Sequence, residues 1–350
     1  MKNVKIIVAL VTGLFAFTSA QAGELTVTGS MHATYQSETN NTTGNPLGMN
    51  TDLAFAGSTE LDNGTAVTWT MATDGVFVGE SGADHSMKFA TPSFGTFRIA
   101  NAGDSANAVD DITPTAFEEA NGAGSGSYKD FGAGMDGSMS VGYNMANILG
   151  GPVSLDYTYY PKLDGKTNNE KGASGSQAGV FGSAQSANVK IDMAGVPGIG
   201  STPLSALKLT VGYEHANNQI AKFTEKEGAT IAANFAYGPM ALGYQLKKFN
   251  KQMTTAGDDV YYIDNIYGIV FAVNDQLKVS YNVIESDKNT QDRYVSSTQT
   301  AAVEQKTKAI NAAYTIGGLT IGLQEAKTDN SGYVANTDND TRTLSIKTAF

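Results

Sequence analysis

Six carboxylates and a single lysine lie close together between residues 103 and 134. They are Asp104, Asp110, Asp111, Glu118, Glu119 and Asp130, with Lys129. Carboxylates that line a narrow passage attract cations and repel anions, so this segment can act as a charge filter if it lies inside a channel. As a loop exposed to solvent, the segment would carry the same charge without selecting anything. The residues alone leave both possibilities open.

Local signals within this segment predict a short helix. Thr113 is a favourable N-cap residue, Pro114 suits the first helical position, and the Asn-Gly pair at 121–122 would end the helix. Such a helix would present Glu118 and Glu119 next to each other. It would concentrate negative charge at one place along the loop.

Two basic residues, Lys88 and Arg98, come shortly before the acidic segment. Each alternates with apolar neighbours, so each is expected on the inner face of a half-buried strand. Lys208, Lys278 and Lys347 have the same parity in their own segments. The chain contains only three arginines in all. Any basic wall built from these residues would therefore be thin.

The residue types needed for catalysis or metal binding do not occur in useful spacings. His32, His85 and His215 are far apart and form no H-E-x-x-H pattern, and there is no G-x-S-x-G elbow. Cysteine is absent. The formal charge of −11 argues against nucleic acid as a partner, since phosphate binding requires a basic surface. The sequence predicts no enzyme, no metal site and no cofactor.

Period-two alternation dominates the chain and predicts strands that must carry these charges. Apolar residues recur at every second position over stretches of seven residues or more, which is the signature of a half-buried strand. Clear examples are 153–159, 207–213, 231–237, 240–246 and 277–283. Only 16% of residues are charged, and glycine occurs 39 times, as expected of a sheet-rich protein. Counting the segments gives about 16 strands.

The connections between these segments alternate between two lengths. Short ones consist of turn residues, at 62–64, 92–95, 238–239, 274–275 and 317–318. Long polar ones are 37–50, 103–134, 162–184, 251–259, 287–300 and 328–340. Short periplasmic turns and long external loops are typical of a transmembrane antiparallel β-barrel. The sequence therefore predicts an all-β barrel in a membrane.

The two ends of the chain agree with this interpretation. Lys2 and Lys5 precede an apolar run at 6–17 and an Ala-Gln-Ala cleavage site, which predicts a secretory signal over residues 1–22 and a mature barrel over 23–350. The last ten residues, TRTLSIKTAF, alternate up to Phe350. A strand with an apolar outer face can end a closed barrel, because it pairs with the first strand and lipid covers that face.

With these features the chain resembles the general porins of Gram-negative bacteria, especially those of alphaproteobacteria. The match rests on the signal, the first strand GELTVTGSMHATYQ at 23–36, the segment FGTFRIANAGD at 94–104, and Phe350. The resemblance implies a 16-stranded barrel, a homotrimer, and a third external loop that folds inward opposite a basic wall. It also implies that Phe350 is a signal read by the outer-membrane barrel assembly machinery.

The function expected from this resemblance is passive diffusion of small hydrophilic solutes and ions across the bacterial outer membrane. The chain would be exported through the periplasm and would lie among outer-membrane lipid and lipopolysaccharide. The acidic loop predicts a weak preference for cations. The alternative is a structural or adhesive barrel, with a blocked lumen, whose external loops bind a surface partner.

Overall fold

Sixteen antiparallel strands form a closed barrel in the computed structural model of the chain. The structure describes residues 25–39, 44–73, 83–101, 103–117, 131, 135, 137–163, 181–219, 225–250, 259–291 and 299–350. The predicted signal at 1–22 lies outside these residues. Each strand pairs with its neighbours in sequence, and the first strand pairs with the last. The prediction of a barrel of about 16 strands is confirmed.

The strands are β1 (Thr26–Glu38), β2 (Leu47–Glu60), β3 (Ala66–Thr73), β4 (Ala83–Thr91), β5 (Gly95–Ala100), β6 (Ser140–Met145), β7 (Val153–Tyr160), β8 (Phe181–Asp192), β9 (Leu207–Asn218), β10 (Lys226–Tyr237), β11 (Met240–Asn250), β12 (Asp259–Ala272), β13 (Leu277–Gln291), β14 (Gln299–Ile316), β15 (Leu319–Asp329) and β16 (Asn339–Ala349). Most of the strands have nine or more residues and are long enough to cross a membrane at a tilt, whereas β3, β5, β6 and β7 are shorter. No helix in the described part of the chain is long and apolar enough to cross a membrane.

Alternation along each strand separates an apolar outer face from a polar inner face. In β16, Leu344 and Ile346 point outward and are 41% and 45% exposed, whereas Thr343 and Ser345 point inward and are buried. An apolar outer face of this kind is stable in contact with lipid, because its side chains require no hydrogen-bond partners there. Because the sheet is closed, every strand edge is paired and no open edge faces the membrane.

The C-terminal residue completes the barrel seam. Phe350 and Gly29 exchange two main-chain hydrogen bonds, of 2.9 and 3.0 Å, and the Phe350 ring lies over Gly29 on the outer surface. A side chain at Gly29 would collide with this ring. The segment TRTLSIKTAF is therefore the closing strand, as its pattern predicts.

The shortest connections lie at one end of the barrel, although the β8–β9 connection at that end spans residues 193–206. The short turns, such as 238–239 and 317–318, all lie at one end. The segment between β5 and β6 is at the other end and is the longest connection in the chain, spanning residues 101–139. This connection carries the acidic residues singled out in the sequence. Its described part is held inside the barrel.

Candidate functional site

The segment 103–117 runs along the inner face of the barrel wall. Its main contact is Gln245 of β11, which is completely buried and points inward. The Gln245 amide nitrogen donates to the carbonyl oxygens of Val109 at 2.8 Å and Asp110 at 3.2 Å. The Gln245 amide oxygen accepts from the backbone N–H of Ile112 at 3.2 Å. One wall side chain thus binds three backbone groups of the loop within four residues.

Neighbouring strands continue this attachment. Three more wall side chains bind main-chain atoms of the segment: Asn234 Nδ2 donates to the Ile112 carbonyl at 2.8 Å, Asn282 Nδ2 to the Pro114 carbonyl at 3.0 Å, and Ser280 Oγ accepts from the Ala116 N–H at 3.0 Å. These side chains lie on β10 and β13. The wall therefore satisfies backbone groups that a free loop would offer to water.

The prediction of a helix beginning at Pro114 is wrong for the described residues of this stretch, which ends at 117. Residues 113–117 have irregular backbone, and Thr113 caps no helix. The physical reason is that Asn282 binds the Pro114 carbonyl, which a helix beginning there would use internally, while Ser280 holds the Ala116 N–H against the wall. Glu118 and Glu119 lie outside the described residues.

Glycines on the inner face let the segment approach the wall closely. Four of them stand directly beneath it: Gly212 beneath Val109, Gly243 and Gly268 beneath Pro114, and Gly322 beneath Phe117. A Cβ atom at Gly212 would lie 2.7 Å from Val109 Cγ2, and one at Gly268 would lie 2.5 Å from the Pro114 carbonyl oxygen. Any larger residue at these positions would push the loop toward the axis of the barrel.

The segment begins at an anchor formed by Asp104 and Ser105. The Asp104 carboxylate is buried, accepts a hydrogen bond from the Ser186 hydroxyl of β8, and accepts another from the Ala106 N–H at 2.9 Å. Asn188 Nδ2 donates to the Ser105 carbonyl oxygen at 2.7 Å. Asp104 therefore fixes where the loop leaves the wall. In contrast, Asp110 and Asp111 are only partly buried.

The two predicted basic residues lie next to each other on adjacent strands. Lys88 of β4 is the register partner of Arg98 of β5. Arg98 forms an ion pair with Asp156 of β7, with 3.1 Å between Nη2 and Oδ1, and also hydrogen-bonds Thr158. Lys190 of β8 interacts electrostatically with the same carboxylate. We call Lys88, Arg98, Asp156 and Lys190 the wall cluster.

An apolar cluster fills the space between the loop and the wall near the long-loop end. Val109, Phe131 and Met135 pack with wall residues that include Phe249 and Tyr262. The Phe249 and Tyr262 rings stack with centroids 5.4 Å apart. Because these side chains are buried, the loop packs directly against the β7–β12 part of the inner wall at this level.

A second long connection adds to this packing. Tyr333, between β15 and β16, places its ring 5.6 Å from that of Tyr262 and shares a hydrogen bond of 2.8 Å with the Ser286 hydroxyl. Burial raises the pKa of the Tyr333 hydroxyl above its ordinary value. The residue is therefore held in its neutral form, as a packed side chain.

Comparison with known families identifies this architecture. A family model described as Gram-negative porin matches residues 8–349, which is nearly the whole chain. The chain belongs to the Gram-negative porins. No curated protein sequence matches this porin.

Solved structures share the porin's fold at low sequence identity. A porin refined at 1.8 Å is 12% identical with a TM-score of 0.61, covering 93% of this chain and 100% of its own. The anion-selective porin from Comamonas acidovorans is 14% identical with a TM-score of 0.60, covering 94% and 100%. Salmonella typhi OmpF in complex with daunomycin is 10% identical with a TM-score of 0.60, covering 94% and 98%.

Family and fold together establish the general activity. The porin is a passive channel of the Gram-negative outer membrane, and it is not an enzyme. The resemblance to porins seen in the sequence is confirmed.

Two members of the wall cluster were missed by sequence reasoning. Asp156 alternates with Leu155 and Tyr157, and Lys190 alternates with Val189 and Ile191, so parity alone assigns both to the inner face. Parity does not predict the position of each residue along the barrel axis. That position depends on the stagger between strands, which is known only from the register of the closed barrel.

Proposed function

We propose that this porin, after removal of residues 1–22, lets small hydrophilic solutes and ions diffuse through its lumen with a weak preference for cations. The observation that carries the proposal is the attachment of residues 104–117 along the inner wall, with Asp110 and Asp111 partly exposed there. A loop held at this position narrows the lumen, and its carboxylates act on ions passing beside it.

The charges in this region nearly cancel, so the preference is weak. Among the described residues, four carboxylates (Asp104, Asp110, Asp111 and Asp156) oppose three basic groups (Lys88, Arg98 and Lys190), and the difference is one negative charge. Asp104 is buried and Asp156 pairs with Arg98, whereas Asp110 and Asp111 are only partly buried, so we expect these two carboxylates to act on passing ions.

Nearer the long-loop end of the lumen, charged side chains of the inner wall form ion pairs. Lys226 lies 3.2 Å from Glu214, and Lys247 lies 3.8 Å from Asp264. All four side chains are buried, and each pair is neutral as a whole. These pairs leave the loop carboxylates as the source of selectivity.

The anion-selective porin from Comamonas acidovorans has the same fold, so the barrel itself does not determine the sign of selectivity. Lining residues do. The test is the reversal potential of the purified porin in a planar bilayer under a salt gradient. We expect a small potential of the sign that indicates cation preference.

The variant that tests this point neutralises four acidic residues of the loop together: Asp110→Asn, Asp111→Asn, Glu118→Gln and Glu119→Gln. We expect the reversal potential to move to zero or to change sign. A matched control, Asp62→Asn with Asp275→Asn, neutralises carboxylates near the short turns and should leave the potential as it is. A wild-type preference for anions, or a quadruple variant with wild-type selectivity, would overturn the assignment.

We further propose a homotrimer and recognition of Phe350 by the outer-membrane barrel assembly machinery. Support comes from the family and from the placement of Phe350 at the exposed end of the seam. A trimer band that converts to monomer on heating would support the first point. Deletion of Phe350 should lower the amount of folded porin in the outer membrane while leaving its conductance unchanged once folded.

A further inference from the structure

One of the three histidines of the chain faces the lumen. All three lie within the residues that the structure describes. His85 of β4 and His215 of β9 have the parity of the outward residues of their strands, so they lie on the outer face. His32 of β1 has the inward parity, and its Nε2 atom lies 2.6 Å from the hydroxyl oxygen of Ser345, which is buried on the inner face. The His32 side chain is only partly buried, so water in the lumen can reach it.

His32 contacts the acidic loop where the described part of its first segment ends. The Phe117 ring packs over Gly322 of β15 and meets the His32 ring edge to face, with centroids 6.5 Å apart and ring planes at 85°. Gly322 and Ser345 are register partners, and Ser345 is the hydrogen-bond partner of His32. The loop segment that starts beside β8 therefore ends against the imidazole of β1.

Two ionisable side chains of opposite sign flank His32 on the inner wall. Lys347 of β16 is the register partner of His32. Asp52 of β2 is two residues from Asn50, which is the register partner of His32 on the other side. The Asp52 carboxylate accepts hydrogen bonds from Ser30 at 3.0 Å and from Asn50 at 3.1 Å. One cation and one anion balance each other, so the charge of this part of the wall is the charge of the imidazole.

The remaining elements against His32 add no charge within the described part of the chain. The inner-face residues of β15 are all uncharged, and the loop presents the Phe117 ring. Glu118 and Glu119 follow in the sequence and lie outside the described residues. Imidazole is the side chain that ordinarily gains its charge between pH 8 and about pH 5, where ordinary aspartate and lysine side chains keep theirs.

We propose that His32 determines how the ion selectivity of the porin depends on pH: its protonated form places a positive charge beside the acidic loop and lowers the preference for cations. The inference rests on the channel function proposed above. The charges counted around the loop differ by one negative charge, so a single added positive charge is enough to offset them.

Protonation requires no change in the position of the ring. A hydroxyl group can both donate and accept a hydrogen bond, whereas a ring nitrogen accepts when it is bare and donates when it is protonated. The Ser345 hydroxyl therefore remains a partner of the His32 ring in both forms, by rotation of its O–H bond. The imidazole changes its charge while it stays next to Phe117.

The size of the effect follows from distance and screening. At about 0.15 M salt, an added unit charge changes the local concentration of an ion about 8 Å away by roughly 1.4-fold, in opposite directions for cations and anions. The ratio of cation to anion permeability should therefore fall about twofold when His32 is protonated. At about 1 M salt the Debye length is about 3 Å, and the effect should nearly disappear.

The experiment measures the reversal potential of the purified, folded porin in a planar bilayer under a salt gradient, at about pH 7.5 and about pH 5.5. His32→Gln stays neutral and keeps a group that can hydrogen-bond Ser345, and His32→Asn is a second neutral variant. His32→Lys is charged at both pH values. The matched controls, His85→Gln and His215→Gln, remove the histidines of the outer face. Heat-modifiable migration on a gel verifies that each variant is folded.

We expect the wild type and both controls to lose about half of their cation-to-anion permeability ratio between the higher and the lower pH. His32→Gln and His32→Asn should lose this step. His32→Lys should have at about pH 7.5 the selectivity that the wild type has at about pH 5.5. In the wild type the step should shrink as the salt concentration rises.

Four results would overturn the inference: a wild type without the pH step, a step of wild-type size in His32→Gln, loss of the step in either outer-face control, and a step that is undiminished at about 1 M salt. The proposed cation preference is tested separately, by the sign of the potential at about pH 7.5. A porin that prefers anions at that pH, yet shows a step that depends on His32, would contradict the cation preference and support the role of His32.

Discussion

Gln245 offers the sharpest test of how the loop is held inside the barrel. Its side chain is completely buried and makes three hydrogen bonds to the loop backbone, of 2.8, 3.2 and 3.2 Å, and one of 2.9 Å to Thr230. Gln245→Leu keeps the approximate volume and removes all of these bonds. The Ile112 N–H and the Val109 carbonyl then lose their wall partner.

The expected magnitude follows from the number of groups left without a partner. A typical hydrogen bond contributes about 1 kcal/mol net, and an unsatisfied buried group costs about 1–3 kcal/mol. Attachment of the loop should therefore weaken by about 2–4 kcal/mol. Since about 1.4 kcal/mol is a factor of ten, detached states become roughly thirtyfold or more populated. The ladder bonds of β10–β12 are unchanged, so the barrel itself should melt at nearly the wild-type temperature.

Single-channel recording in a planar bilayer measures this effect. We expect Gln245→Leu to show larger open-channel noise and brief substates of raised conductance. The control is Gln185→Leu, which removes a glutamine from the outer face, where it accepts a 3.1 Å hydrogen bond from Tyr157. Traces of Gln245→Leu that match both the wild type and this control would refute the idea that the wall holds the loop through Gln245.

Other perturbations test neighbouring contacts. Gly243→Ala places a Cβ where the loop lies and should increase channel noise, whereas Gly318→Ala, which meets open space, should have no effect. Asp156→Asn removes the carboxylate of the wall cluster, so the reversal potential should shift toward anions; an unchanged potential would show that these charges do not act on passing ions. Burial raises the pKa of Tyr333, so the folded state keeps its proton above about pH 10, where an unfolded tyrosine loses it. The contribution of neutral Tyr333 to the stability of this packed connection is therefore complete below about pH 10 and falls as the pH rises above it, so channel noise should increase there, and Tyr333→Phe should abolish this pH step.

Period-two alternation predicted the strands well because one face of each strand contacts lipid and favours apolar residues, whereas the other faces the lumen and favours polar residues. Leu344 and Ser345 are adjacent in sequence, yet one is exposed to lipid and the other is fully buried inside. A local rule of this kind works wherever a strand separates two environments. The strand count and the closing role of Phe350 followed from it.

The path of the loop did not follow from any local rule. Thr113 and Pro114 form a good helix start in isolation, but Asn234 and Asn282 bind the neighbouring carbonyls instead. These partners are more than a hundred residues away in sequence. Their polar side chains on inner-face parity were visible in the sequence, although nothing there indicated that they would meet this loop.

The most direct test of the central claim is conductance of the purified porin in a planar bilayer at low protein concentration. A passive channel predicts stepwise, nearly ohmic current increments as molecules insert, with a small reversal potential of cationic sign under a salt gradient. Folded, heat-modifiable protein that inserts without any stepwise conductance would contradict the account and favour a closed barrel that acts through its external loops.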